Sequence, residues 1–174
     1  MQHRLKSNAE FPGIEVIKDY GDLPLVEYYA GQMNQVFMNI ISNAIDALIQ
    51  DKEEARELES GRVNKTGELS PSLIPTIRIY TKISADNSHI LVRIADNGLG
   101  MTEEVKKLIF DPFFTTKPVG RGTGLGLAIS YQIIVEKHGG LMECITEPGK
   151  GTEFWIEIPL KPPSRVNSQQ QLGD

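Results

Sequence analysis

"NQVFMNIISNAIDAL", residues 34–48, decides how the rest of this chain is read. With one flanking residue, its apolar set is Met33, Val36, Phe37, Ile40, Ile41, Ala44, Ile45 and Leu48. These recur at i, i+3 and i+4, the stripe of a helix that packs one face on a core. The spacing predicts a helix over Gln32–Gln50. Its polar side is less ordinary. Asn39 and Asn43 lie four residues apart and stack on one side, with Asp46 one turn beyond. Asparagine is a mediocre helix former, so two in a helix interior cost stability. Two readings stand open: solvent-facing amides, or a polar rim aimed into a cleft. In the second, amide oxygens can ligate a hard cation such as Mg²⁺, which usually keeps several waters and bridges to phosphates.

Before this helix, Ile14–Tyr20 and Leu25–Tyr29 are strand-like, separated by the turn signal Gly21-Asp22. After it, residues 51–75 turn charged and polar; the "DKEEARELES" start either extends the helix or opens a solvated insertion. "TIRIYTKI" (76–83) and "HILVRIAD" (89–96) alternate as strands joined by a short hairpin loop. "TEEVKKLIF" (102–110) predicts a short helix with Thr102 as N-cap. Leu125–Lys137 predicts a second strong helix, ended by Gly139-Gly140. "LMECIT" and "TEFWIEIPL" are two closing strands around the "EPGKG" turn. This order predicts an α+β fold, a two-layer α/β sandwich with helices on one face of a mixed, mostly antiparallel sheet.

Composition excludes several classes. At 174 residues the chain fits one domain. A net charge of -5 without a basic stripe argues against a nucleic-acid partner. Cys144 is alone, so no disulfide framework or cysteine metal cluster is expected, and a reducing, cytoplasmic setting is the simplest reading. No apolar run approaches the roughly 20 residues of a membrane span, so direct membrane insertion is not expected. The tail 161–174, rich in Pro, Ser and Gln, is expected to be disordered.

Two further stretches carry chemistry. In "DNGLGM" (96–101), Asp-Asn-Gly is a common turn signal. Equally, an aspartate at a strand end can accept a hydrogen bond from an exocyclic amine, while Gly98 and Gly100 let the backbone approach a flat base. "DPFFTTKPVGRGTGLGLAIS" (111–130) is a mobile surface loop or a cover over a phosphate group. Gly120, Gly122, Gly124 and Gly126 alternate before a helix whose first N–H groups form a ready anion site. Lys117 and Arg121 add positive charge, Thr115, Thr116 and Thr123 add hydroxyls, and Phe113 and Phe114 can anchor one end. Neither a G-x-x-x-x-G-K-[ST] loop nor a G-x-G-x-x-G turn opening a βαβ unit is present.

In order, "NQVFMNIISNAIDAL", "DNGLGM", "IFDPFFTTK" and "GRGTGLGLAIS" resemble the N box, first glycine box, F box and second glycine box of sensor histidine kinase ATP-binding domains. The "GTEFWIEIP" ending fits the same pattern, and the resemblance covers residues 14–160. It implies a Bergerat-type sandwich with ATP between the helices under a flexible lid. By resemblance, Asn43 would coordinate Mg²⁺ and Asn39 would support the phosphates or the metal, with Asp46 on the pocket rim. Asp96 would read the adenine amino group, Gly98 and Gly100 would line the base pocket, and Thr152 would assist there. Lys117 would reach the phosphates, and Gly122, Thr123, Gly124, Leu125 and Gly126 would form the phosphate side, with Phe110 and Phe113 as lid anchors.

The same fold is shared with topoisomerase ATPase subunits, mismatch-repair proteins and a heat-shock chaperone, where a glutamate commonly matches Asn39 as general base. Asparagine cannot take up a proton in this way, which favours transfer to a histidine over hydrolysis. His3, His89 and His138 lack the acceptor pattern, so the acceptor is expected on a separate dimerisation domain, with a response regulator downstream. Residues 1–13 would be the end of the linker from that domain. A stand-alone ATPase of this fold and a non-catalytic nucleotide-binding module are the alternatives.

Overall fold

The computed structural model describes residues 13–26, 28–61, 74–118, 120 and 122–161, with the side chains of 51–61 excepted. Within these, five strands form one sheet: β1 (Glu15–Tyr20), β2 (Thr76–Ile83), β3 (His89–Asp96), β4 (Leu141–Glu147) and β5 (Gly151–Pro159). Their order across the sheet is β1-β2-β3-β5-β4. β1 pairs with β2 in parallel, and every other pairing is antiparallel. The helices are α1 (Ala30–Gly61), α2 (Glu103–Lys106) and α3 (Gly126–Tyr131), the last continuing as a π-helical turn over Gln132–Lys137.

Alternation along the strands builds the core. Ile79, Ile94, Phe154 and Cys144 face one another across β2, β3, β5 and β4 in register. The α1 stripe covers that face: Val36, Ile40, Ala44, Ile45 and Leu48 are buried, as are Ile133 and Ile134 beyond α3. On the opposite face Arg93 lies over the Trp155 ring at 4.3 Å and pairs with Glu153 at 2.7 Å, so this side is amphipathic and not a second core.

Leu25–Tyr29 does not form a strand. A parallel β1–β2 pair requires a crossover between its members. Residues 21–26, 28 and 29 lead from the sheet edge to the helix layer, where α1 begins the crossover. Leu25 is fully exposed, while the Tyr28 hydroxyl donates to the Pro159 carbonyl and its ring lies 5.2 Å from the buried His138 ring. α1 is also longer than its apolar stripe suggests, because residues 51–61 continue it; residues 62–73 of the polar insertion lie outside the described set, as do residues 1–12 of the expected linker and the residues beyond 161. In "TEEVKKLIF" only one turn is α-helical, capped by Thr102, whose side chain accepts from the Val105 N–H. The second helix widens to π geometry, and His138 Nδ1–H donates to the Ile133 carbonyl at 2.7 Å beside Gly139, which ends it at φ 63°.

Ile156 is 1% exposed and sits mid-strand on the helix-facing side of the sheet, between Val92 and Met142. Replacing it with alanine is expected to cost about 2–5 kcal/mol, from lost transfer energy and the cavity left behind, read as a lower urea midpoint at unchanged slope.

Candidate active site

At the end of the sheet the apolar rows give way to a polar one. Ile77, Asp96, Thr152 and Thr146 are register partners two residues beyond the Ile94–Phe154–Cys144 row and lie on its helix-facing side. Asp96 therefore occupies a core-like position with a carboxylate. Burial pushes its pKa up to about 6, against the backbone N–H groups of Gly98 and Thr152 that pull it down. Thr152 is buried and its hydroxyl lies 3.1 Å from that of Thr146, which also donates to the Gly151 carbonyl and accepts from the Met101 N–H.

Two glycines let the chain double back here. Gly100 has φ 66°, and a Cβ on it would stand 2.0 Å from the Glu147 carbonyl oxygen; one on Gly151 (φ 86°) would stand 2.0 Å from that of Asp96. Gly98 packs directly on the helix layer, since a Cβ there would meet Asp96 Oδ1 at 3.1 Å and the Ala47 backbone of α1 at 3.3 Å. The end of β3 thus lies against α1 next to Asp46, on its polar rim.

On that rim, Asn39 Nδ2 donates to the Gly126 carbonyl at 2.8 Å and to Ser130 Oγ at 3.1 Å, joining α1 to α3. Both amide hydrogens are then used, which leaves Oδ1 as the atom Asn39 can offer a ligand. One turn on, Asn43 Oδ1 accepts from Lys117 Nζ at 3.0 Å, and Asp46 Oδ2 lies 2.6 Å from the same ammonium. The rim already holds a cation, the lysine ammonium, on an amide and a carboxylate oxygen. A donor set of neutral and anionic oxygens suits a hard divalent ion, so these residues fit Mg²⁺.

The segment before α3 is tied at its base by the Phe113 N–H donating to the Gly124 carbonyl at 2.9 Å. Gly124 has φ 65°, and a Cβ on it would stand 2.3 Å from the Phe113 carbonyl carbon. Phe113 itself is 74% exposed, so it is no apolar anchor; Phe114 packs on the core, and Phe110 lies 5.1 Å from the Tyr131 ring. Thr123 Oγ1 accepts from the Leu125 N–H, and Leu125, at the helix start, makes no side-chain cap. Arg121 lies outside the described residues. Ser130 and Thr146 were not singled out from the sequence: a buried serine inside an apolar helix was the available signal for the first, and nothing local marks the second.

Fold and site together define an α/β sandwich with a polar helix rim beside a buried carboxylate row. Residues 29–162 match the family described as histidine kinase-, DNA gyrase B-, and HSP90-like ATPase. The nucleotide-free catalytic domain of the histidine kinase ThkA is 31% identical, with a TM-score of 0.62 over 86% of this chain and 82% of that one. The chain belongs to this family, as a histidine kinase catalytic domain. Sporulation kinase E of Bacillus subtilis is 34% identical over 98% of this chain, and the sensor kinase CckA of Brucella abortus is 36% identical over 84%. The chain spans 19% and 14% of the lengths of these two relatives.

The buried Asp96 makes a pH prediction. Its folded pKa is above the unfolded one, so the folded state binds the extra proton; the stability this contributes is full below about pH 4 and lost as pH rises through about 6. Asp96→Asn removes that dependence while its amide oxygen can still accept from Gly98. Without nucleotide, the variant is expected to gain about 1–3 kcal/mol over wild type at pH 8 and little at pH 4, measured by denaturant titration at both pH values.

Proposed function

We propose that this chain binds Mg²⁺·ATP in the cleft between α1, the Asp96 row and the segment before α3, and transfers the γ-phosphoryl group to a histidine on another domain. The observation that carries this reading is the state of the α1 rim. Asn39 has no proton-accepting group and its N–H groups are committed to Gly126 and Ser130. It is not poised to activate water, whereas both Asn39 and Asn43 offer oxygens suited to a cation.

Phosphoryl transfer demands positioning and charge neutralisation more than covalent chemistry from the protein. Asn43, with Asn39 beside it, would hold Mg²⁺. Bound with nucleotide, the ion supplies Lewis-acid neutralisation of phosphate charge. Lys117 is within reach of the same place and brings a second positive charge on a flexible stem. Asp96 accepts the adenine amino hydrogen, a partner that favours its ionised form and offsets the burial that disfavours it. Gly98 and Gly100 set the backbone of the base pocket, Thr152 flanks Asp96, and Gly122, Thr123, Gly124, Leu125 and Gly126 border the phosphates.

The acceptor histidine comes from a dimerisation domain. His138 is 4% exposed and bonded to the Ile133 carbonyl, which makes it unfit as an in-line nucleophile. The histidine kinase ThkA is known in complex with the response regulator protein TrrA, and that chain is 28% identical with a TM-score of 0.59 over 87% of this one and 36% of that one. A response regulator is the corresponding downstream partner here, and the cytoplasm, where ATP and such regulators occur, is the setting.

The test incubates the chain with γ-labelled ATP, Mg²⁺ and the histidine-bearing domain of its own full-length protein. Acid-labile label on that domain is expected, reduced at least about 100-fold by Asn43→Ala, as befits loss of a group that stabilises the transferring charge. Steady release of phosphate with no labelled protein would make the chain an ATPase. Binding without either product would make it a regulatory module.

A further inference from the structure

Lys117 sits where the proposed metal and phosphates would have to be. Its ammonium is 3.0 Å from Asn43 Oδ1 and 2.6 Å from Asp46 Oδ2, two oxygens one turn apart on α1. The stem is fitted as closely as the head. The Lys117 N–H donates to Thr115 Oγ1 at 3.2 Å. A Cβ on Gly122 would stand 2.6 Å from that same Thr115 Oγ1 and 3.2 Å from Lys117 Cβ, so the lid backbone lies directly along the lysine stem. Between the ends joined at Phe113 and Gly124, this lysine is a tie from the lid to α1, while around Gly120 the space is open.

An ammonium and a hydrated divalent ion cannot share that place. Mg²⁺ binds oxygen at about 2.1 Å and carries an octahedral shell of waters and phosphate oxygens around it. An ammonium on the same amide oxygen would stand inside that shell and repel the ion across a few ångströms of partly buried space.

We propose that Lys117 is a latch: in the nucleotide-free protein its ammonium holds the cation position on Asn43 and, through Asp46, fastens the lid to α1, so that Mg²⁺·nucleotide enters by displacing it. The inference rests on the nucleotide reading above and adds a regulatory step to that site. Displacement does two things at once: it frees Asn43 for the metal and releases a positive charge toward the arriving phosphates. Asp46 is then a positioning residue that acts on the lysine. The free lid is held shut by an ion pair of modest strength, which slows entry without forbidding it.

Two variants of the chain separate these roles. Asp46→Asn keeps the lysine but removes its anionic anchor; Lys117→Met removes the latch and the phosphate-directed charge together. Without nucleotide, amide hydrogen exchange over residues 111–118 and 122–126 is expected to speed up in both, on the order of three- to ten-fold. With Mg²⁺ and a ribose-labelled fluorescent ATP analogue, Asp46→Asn is expected to associate faster by a similar factor, whereas Lys117→Met binds more weakly at equilibrium. Unchanged lid exchange in Asp46→Asn, or slower association of the analogue, would overturn the latch. A wild-type chain that fails to bind the analogue at all would instead sink the nucleotide reading, whatever the lid exchange shows.

Discussion

Everything in this cleft depends on the rotation of α1 about its own axis. Val36, Ile40, Ala44, Ile45 and Leu48 are buried against the sheet, and each large member is worth about 1.5–3 kcal/mol when removed from water. A single net hydrogen bond contributes about 1 kcal/mol. The apolar stripe therefore decides the rotation, and the polar rim is carried to wherever that rotation puts it. Asn39, adjacent to Ile40, comes to face α3; Asn43 and Asp46, adjacent to Ala44 and Ile45, come to face the lid. The bonds from Asn39 to Gly126 and Ser130 then refine a placement that the core has already imposed.

The sheet makes the opposite trade. Its apolar register runs out at a row where β3, β5 and β4 place Asp96, Thr152 and Thr146 side by side. Holding a carboxylate there has a cost, visible as the upward shift of Asp96 to about pKa 6. Gly100 and Gly151 let the turn after β4 close over the end of β3 so that the carboxylate keeps backbone donors instead of water. A site that is poorly solvated yet still ionisable is one in which an arriving N–H donor gains most.

Much of this was legible in the chain itself. The α1 stripe from Met33 to Leu48 spans a little over four turns of helix, long enough for its period to be unmistakable, and β3 and β5 alternate along most of their length. What was hidden was non-local. Leu25–Tyr29 has strand composition, but with β1 parallel to β2 those residues must leave the sheet, and nothing in five residues reveals the direction of a neighbouring strand. Phe113 and Phe114 are indistinguishable by type; only the positive φ of Phe113 turns one outward and leaves the other to pack. The role of Ser130 likewise follows from its contact with Asn39 on α1. In the candidate site the residue types Asn, Asp, Lys and Gly stood out, whereas the pairing of Lys117 with Asn43 and Asp46, seventy-odd positions away, belongs to tertiary structure alone.

The amide at position 39 bears on why a cleft of this kind would favour transfer over hydrolysis. A hydrolase needs a base held next to a water; here the rim residue nearest α3 is an amide that spends its hydrogens on structure. With no base at that position, a nucleophile that brings its own basicity, as an imidazole nitrogen does, suits the proposed transfer. The lid is tied to α1 by a polar contact, and a polar contact can be exchanged for another where a packed apolar one cannot. Keeping the core on one face of α1 and an exchangeable ion pair on the other allows one helix to be rigid for folding and yielding for chemistry.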